Sequence, residues 1–168
     1  QARTFLMLPD YFHFLLTGEK RSEYTNATST QLVNAETKDW DDEVISRLGY
    51  PREMFLPLSQ PGTQVGVFTK EIEKEVGFSC QVVLPATHDT ASAVMAVPCQ
   101  EDNCLYISSG TWSLMGTENK KAICTEESRQ KNFTNEGGYD FRYRYLKNIM
   151  GLWMIQSVRH EEKDQYSF

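Results

Sequence analysis

The 168 residues carry 17 Lys and Arg against 23 Asp and Glu, a formal net charge of −6, so no general basic field is present to draw a nucleic-acid backbone or an anionic bilayer. Hydrophobic residues at 40% and aromatics at 12% suffice for a sizeable core, which excludes a disordered chain. The longest apolar stretches, such as Val82 to Pro85 and Ile149 to Ile155, fall well short of the ~20 residues of a membrane span, so neither nucleic acid nor membrane is an expected partner.

The opening QARTFLMLPDYFHFLLTG is rich in Leu and Phe, but Pro9, Asp10 and His13 interrupt it and no basic segment precedes it, unlike a secretory signal. It starts without Met, as expected of a chain beginning partway through a gene product. Leu8, Phe12, Leu15 and Leu16 recur at helical spacing, with Pro9 suited to a first turn and Gly18 to a stop, so a helix is predicted over Pro9 to Thr17. A second helix is predicted from Trp40 to Leu48, capped by Asp39 and ended by Gly49 and Pro51. Tyr50 to Gly62 is proline-rich and reads as a loop, and Thr69 is the expected cap of a helix from Lys70 to Val76 that Gly77 stops.

Cys80 to Ala86 is a nearly continuous apolar run, the pattern of a strand buried on both faces. It leads through His88-Asp89-Thr90 into ASAVMAV, a small apolar helix for which Asp89 or Thr90 is the expected cap. A strand entering a helix there places these three polar residues where open α/β folds bind their ligands. CLYISS and TWSLMG then read as a tight hairpin about Gly110. Tyr139, Phe141, Tyr143 and Tyr145 alternate with Asp140, Arg142, Arg144 and Leu146 as a strand with one aromatic face, and Asn148 is the expected cap of a buried helix from Ile149 to about Arg159. The best candidate boundary lies between Pro98 and Asn103.

Cys80, Cys99, Cys104 and Cys124 form no CxxC pair and have no His at zinc spacing, so free thiols in a reducing cytoplasm are expected and no metal site. Asn26-Ala27-Thr28 and Asn132-Phe133-Thr134 match a glycosylation acceptor by chance. On spacing alone, Asp89 is a helix cap and His88 a satisfied surface histidine. A relay from Ser108 or Ser109 through His88 to Asp89 is excluded in practice, since neighbours in sequence do not line up as nucleophile, base and orienter. The SSGTWS turn offers hydroxyls and a flexible glycine suited to phosphate oxygens, although such a turn is more often just a hairpin.

The combination says more than its parts. THDTASAV at 87–94, YISSGTWSLMG at 106–116, NEGG at 135–138 and RYRYLKNIMGLW at 142–153, with EYTNATSTQL and DWDDEV earlier, resemble in order and spacing the rhamnulokinase branch of the FGGY carbohydrate kinase family. The likeness runs from about Phe5 to Gln156. It implies an α/β chain of the actin-like, RNase H-like ATPase fold, with residues 1–98 ending the first, sugar-binding domain and residues 99–168 starting the second, nucleotide-binding one. It further implies ATP and Mg²⁺ as cofactors and L-rhamnulose as the substrate, phosphorylated at its 1-hydroxyl. By the same resemblance Asp89 is the base, His88, Asp89, Thr90 and Asn148 contact the sugar, and Thr111 and Gln156 contact ATP. Mg²⁺ would be held mainly by the nucleotide. A kinase for fuculose or xylulose, or a non-catalytic actin-like sensor, are the alternatives. The family's DxGT-type phosphate loop and glycine-rich adenine segment do not occur in these residues, so the chain by itself is expected to lack kinase activity, and its aromatic row to stay exposed or pair with another copy.

Overall fold

The computed structural model describes residues 2–99, 101, 104–110, 112–162 and 165. In chain order the elements are α1 (Leu8–Thr17), β1 (Ser22–Glu23), α2 (Tyr24–Ala27), α3 (Asp42–Arg47), β2 (Leu58–Ser59), β3 (Gln64–Val67), α4 (Lys70–Val76), β4 (Gln81–Val83), α5 (Asp89–Met95), β5 (Leu105–Ser109), β6 (Ser113–Asn119), α6 (Glu126–Gln130), β7 (Thr134–Gly137), β8 (Tyr143–Ile149) and α7 (Gly151–Glu161). The strands form a parallel pair β1-β2, an antiparallel pair β3-β4 and an antiparallel four-stranded sheet in the order β5-β6-β8-β7.

Local chemistry sets several of these limits as the sequence predicts. Pro9 lies in the first turn of α1, and Gly18 ends it in the left-handed region at φ 75°, its N–H donating to the Phe14 carbonyl. Thr69 caps α4 and Gly77 stops it. The β5-β6 hairpin pairs Ser109 with Ser113 across the turn at Gly110.

Elsewhere tertiary packing overrides the pattern. Helix α3 is shorter than expected and its cap is Asp41, whose Oδ1 accepts from the Val44 N–H at 3.0 Å, not Asp39. Trp40 instead joins an apolar cluster with Ala27, Ile45 and Phe55, against which Phe5 packs, and its indole N–H donates to the Leu56 carbonyl at 2.6 Å. The strand expected over Cys80 to Ala86 reduces to β4, with Val82 buried and Gln81 and Val83 exposed, because it pairs only with β3 and buries one face. Neither Asp89 nor Thr90 caps α5; the cap position is His88, with no side-chain capping bond.

The aromatic row is also reassigned. Tyr139 and Phe141 lie in a 3₁₀ turn, and only Tyr143 and Tyr145 enter a strand. Both are covered by the chain itself: Tyr143 is buried and donates to the Ala35 carbonyl, while Tyr145 stacks on Phe133 at 4.7 Å and shares a hydrogen bond with Ser128. The opposite face of β8, through Arg144 and Leu146, is the more deeply buried one. Leu146 packs there with Val94 of α5, Tyr106 of β5 and Leu114 of β6.

Asn148 lies within β8 opposite Leu114 and caps nothing; α7 starts after Met150. Leu152, Trp153, Met154, Ile155 and Val158 of that helix are exposed, the reverse of the expected burial, because no described element covers it. Nor are all four cysteines free: Cys99 and Cys104 form a disulfide, their Cα atoms 6.3 Å apart and within bridging range, while Cys80 and Cys124 are exposed thiols. Among the described residues, no helix is long and apolar enough to cross a membrane.

Candidate active site

The site is assembled on a buried carboxylate. Glu23, at the end of β1, is fully buried, and its side chain caps α2 by accepting from the backbone N–H groups of Thr25 at 2.8 Å and Asn26 at 3.0 Å. It also accepts from the Thr25 hydroxyl at 2.6 Å and, across 64 residues of sequence, from the N–H and hydroxyl of Thr87 at 3.1 and 2.8 Å. Five donors on one carboxylate are what a buried charge requires. Their effect is to fix the segment immediately before His88, whose own N–H donates to the Thr25 hydroxyl at 3.4 Å.

Behind Glu23 stands Asp10 of α1, accepting from the Glu23 N–H at 3.2 Å. Burial, aided by the nearby Glu23 charge, pushes the Asp10 carboxyl up to about 7.

From the second half of the chain comes Arg144, with no exposed surface. Its Nε and Nη2 donate to the Gly137 carbonyl at 3.3 and 3.2 Å, and Nη2 lies 3.1 Å from Glu136 Oε2. Strand β7 approaches this closely because Gly137 has no side chain: a Cβ there would lie 2.5 Å from the Tyr24 ring and 2.6 Å from a Thr28 methyl. The Arg144 Nη1 lies 3.5 Å from His88 Nδ1, and Glu136 Oε2 lies 3.8 Å from His88 Nε2. Burial first, and the Arg144 charge second, hold the His88 imidazole below its ordinary range against the weaker pull of Glu136, Asp89 and Glu23.

On the solvent side of this layer sits Asp89, its side chain 99% exposed. One oxygen accepts from the Thr90 N–H at 2.6 Å and from the Thr90 hydroxyl at 3.3 Å, and the same oxygen is 3.6 Å from His88 Nδ1. The buried Thr90 therefore orients a carboxylate that is open to solvent. Such a group can take a proton from a hydroxyl placed beside it.

The structure thus joins His88, Asp89 and Thr90 as expected in sequence, but leaves the other proposed contacts apart. Asn148 is exposed on β8, on the same face as Arg144 and about 13 Å further along the strand. Gln156 is exposed on α7. Thr111 lies outside the described residues. Among those residues no cluster of three His, Cys, Asp or Glu is placed to hold a metal ion. Sequence reasoning missed Asp10, Glu23, Glu136 and Arg144. One signal was available: an arginine at the central position of Tyr-Arg-Tyr in a β-prone run.

Residues 1–96 match the N-terminal domain of the FGGY family of carbohydrate kinases. This chain belongs to that family. Over all 168 residues it is 57% identical to a rhamnulokinase of Oceanobacillus iheyensis and 56% identical to one of Halalkalibacterium halodurans; a rhamnulokinase of Pectobacterium atrosepticum is 49% identical over 93% of the chain. The chain spans about a third of the length of these relatives, 31–36%. Among solved structures it resembles a ligand-bound xylulose kinase of Lactobacillus acidophilus, with a TM-score of 0.83 at 19% identity over 95% of this chain and 32% of that one. A gluconate kinase from the same organism gives 0.81 at 20% identity, again over 95% of this chain and 32% of that one. At such identities the likeness concerns the fold, which is that of the FGGY sugar kinases, an actin-like ATPase architecture, as the sequence motifs implied.

Proposed function

We propose that the full-length protein containing this chain phosphorylates L-rhamnulose at its 1-hydroxyl, using ATP with Mg²⁺. The observation that carries the reading is the Asp89 carboxylate, open to solvent, oriented by Thr90 and backed by a buried ionic layer. The substrate comes from the relatives, of which those 56–57% identical over the whole chain are rhamnulokinases.

In the proposed reaction Asp89 accepts the proton of the 1-hydroxyl as that oxygen attacks phosphorus, while His88, Thr90 and Asn148 bind the sugar. ATP supplies the phosphoryl group. The β5-β6 turn suits its phosphates: Ser109 and Ser113 face each other across it with hydroxyls 3.5 Å apart, and Thr111 lies between them in sequence. The exposed amide of Gln156 is free to reach the nucleotide. Residues 1–98 belong, in this reading, to the sugar-binding domain and 99–168 to the nucleotide-binding one; the end of the family match at residue 96 supports that division. In this reading the setting is cytoplasmic, where thiol reductants would reduce the Cys99–Cys104 disulfide.

The test is ADP release by the full-length protein with L-rhamnulose, fuculose and xylulose, for wild type and Asp89→Asn. Rhamnulose is expected to give the highest kcat/KM, and Asp89→Asn to lose ~10²–10⁴ in kcat with sugar binding largely kept, since Asn retains the size and one acceptor but not the basicity. Preference for another ketose, or more than about a tenth of wild-type turnover in Asp89→Asn, well above what loss of a general base leaves, would overturn the substrate or the base respectively.

A further inference from the structure

His88 is contacted on both ring nitrogens by groups from the far half of the chain. Arg144 Nη1 stands 3.5 Å from Nδ1, Glu136 Oε2 3.8 Å from Nε2, and the two partners are themselves paired at 3.1 Å. Asp89 Oδ1 also lies near Nδ1, at 3.6 Å. These neighbours make opposite demands on one atom. A carboxylate favours a proton on Nδ1, which would then point at it. A guanidinium has donors only, so it favours a bare Nδ1 lone pair.

Position decides between them. Arg144 is wholly buried and pinned by two hydrogen bonds to the Gly137 carbonyl and by Glu136, so it cannot swing away. Asp89 is 99% exposed, its charge is solvated, and its Oδ1 is already engaged by Thr90. The fourth charged neighbour, Glu23, accepts its hydrogen bonds from Thr25, Asn26 and Thr87.

We propose that Arg144, held by Glu136, is a positioning residue that fixes His88 in the tautomer with its proton on Nε2, so that no imidazole hydrogen bond reaches Asp89. The lone pairs of Asp89 beyond those taken by Thr90 are then left for a substrate hydroxyl. With the opposite tautomer, a His88 Nδ1–H would compete for the same carboxylate and weaken it as a base, as would a protonated imidazole. The ionic layer thereby serves the base one residue removed from it. For its catalytic consequence this rests on the kinase reading above; the tautomer itself does not.

Two measurements test it, one independent of activity. In ¹⁵N-resolved imidazole spectra of the 168-residue chain near neutral pH, His88 is expected to show a protonated Nε2 and a bare Nδ1, and to titrate below an ordinary histidine. In Arg144→Met, Nδ1 is expected to gain proton character and the titration to move up. In the full-length protein the same variant should lose roughly 10–100-fold in kcat, the size seen when a group behind a first ligand is removed, with the acid limb of the pH profile moved to higher pH and KM for the sugar nearly unchanged. Arg144→Lys, which keeps a charge and donors, should recover part of the loss. A wild-type His88 with its proton on Nδ1 overturns the proposal, and this decides even if Arg144→Met fails to fold. A folded Arg144→Met with the wild-type tautomer and pH profile overturns it as well. A full-length wild type without kinase activity would sink the kinase reading while leaving the spectrum to decide the tautomer.

Discussion

Two buried regions hold this chain together by opposite means. The cluster around Trp40 is apolar, with Phe5 and Phe55 rings 6.2 and 4.9 Å from the indole and Ile45 and Ala27 closing it. The layer around Glu23 and Arg144 is ionic, equally buried, and joins segments more than 50 residues apart. In the first, stabilisation scales with area removed from water, and each side chain contributes by its size. In the second, attraction between charges is offset by the cost of taking them out of water, so each group is valuable only while its partner is present. The apolar region supplies stability; the ionic one supplies geometry, and the candidate base sits on the ionic one.

The largest expected effects separate the two. Trp40→Ala and Arg144→Met should each destabilise by about 3–5 kcal/mol, the first by leaving a cavity, the second by leaving the partly buried Glu136 charge without its counter-ion and the buried Gly137 carbonyl without its two donors. A second substitution tells them apart. Adding Glu136→Leu to Arg144→Met should recover part of the lost stability, whereas adding Phe55→Ala to Trp40→Ala should lose more. Urea unfolding of the four variants measures this. Recovery in the Trp40 background, or none in the Arg144 background, would break the comparison.

A second effect is readable in pH. Asp10 is raised by burial to about 7, from 3.8. A raised folded value means that the unfolded chain releases its proton first, so the stability Asp10 contributes is full below about pH 4, declines as pH rises, and is gone above about 7. Other carboxylates act oppositely; Asp41 and Glu126 are held below their ordinary range by hydrogen bonds. The informative quantity is therefore the difference between wild type and Asp10→Asn. Asn keeps an acceptor for the Glu23 N–H and carries no charge. The variant should gain stability relative to wild type as pH rises from 4 to 8, on the order of 4 kcal/mol. A difference that stays flat over that window would remove Asp10 from the ionic layer.

The same contrast explains what could be read from the sequence. Features fixed within a few residues were legible: the Pro9 and Gly18 limits of α1, the Thr69 cap, and the hairpin at Gly110. His88, Asp89 and Thr90 were legible as a candidate site because their motif is contiguous. Where burial on one face depends on a distant partner, the pattern misled. The Cys80 to Ala86 run met only β3, so half of it is exposed. The aromatic row marked the less buried face of β8, because the buried position went to Arg144, a residue that periodicity assigns to solvent. Asp10, Glu23 and Glu136 were missed for the same reason: each is an ordinary surface residue type until the fold places a partner against it.

The smallest prediction sets the scale for a contact belonging to neither region. Thr69 caps α4, a helix with no buried residue, by accepting from the Ile72 N–H at a long 3.4 Å. Thr69→Ala leaves that donor to water and should cost about 0.5–1 kcal/mol, the low end for a cap. Its backbone N–H still donates to the Leu16 carbonyl at 2.9 Å, so the join between α1 and α4 persists without the hydroxyl. Thr69→Asp should more than restore the loss, because its carboxylate accepts the same bond and meets the positive end of the helix. Neither change touches a residue that contacts His88 or Asp89, so the His88 tautomer and the turnover of the full-length protein should stay at wild-type values while the unfolding midpoint moves. If a change at this cap altered the imidazole spectrum, the ionic layer would be coupled to the helices around it, and the division between a region that supplies stability and one that supplies geometry would have to be abandoned.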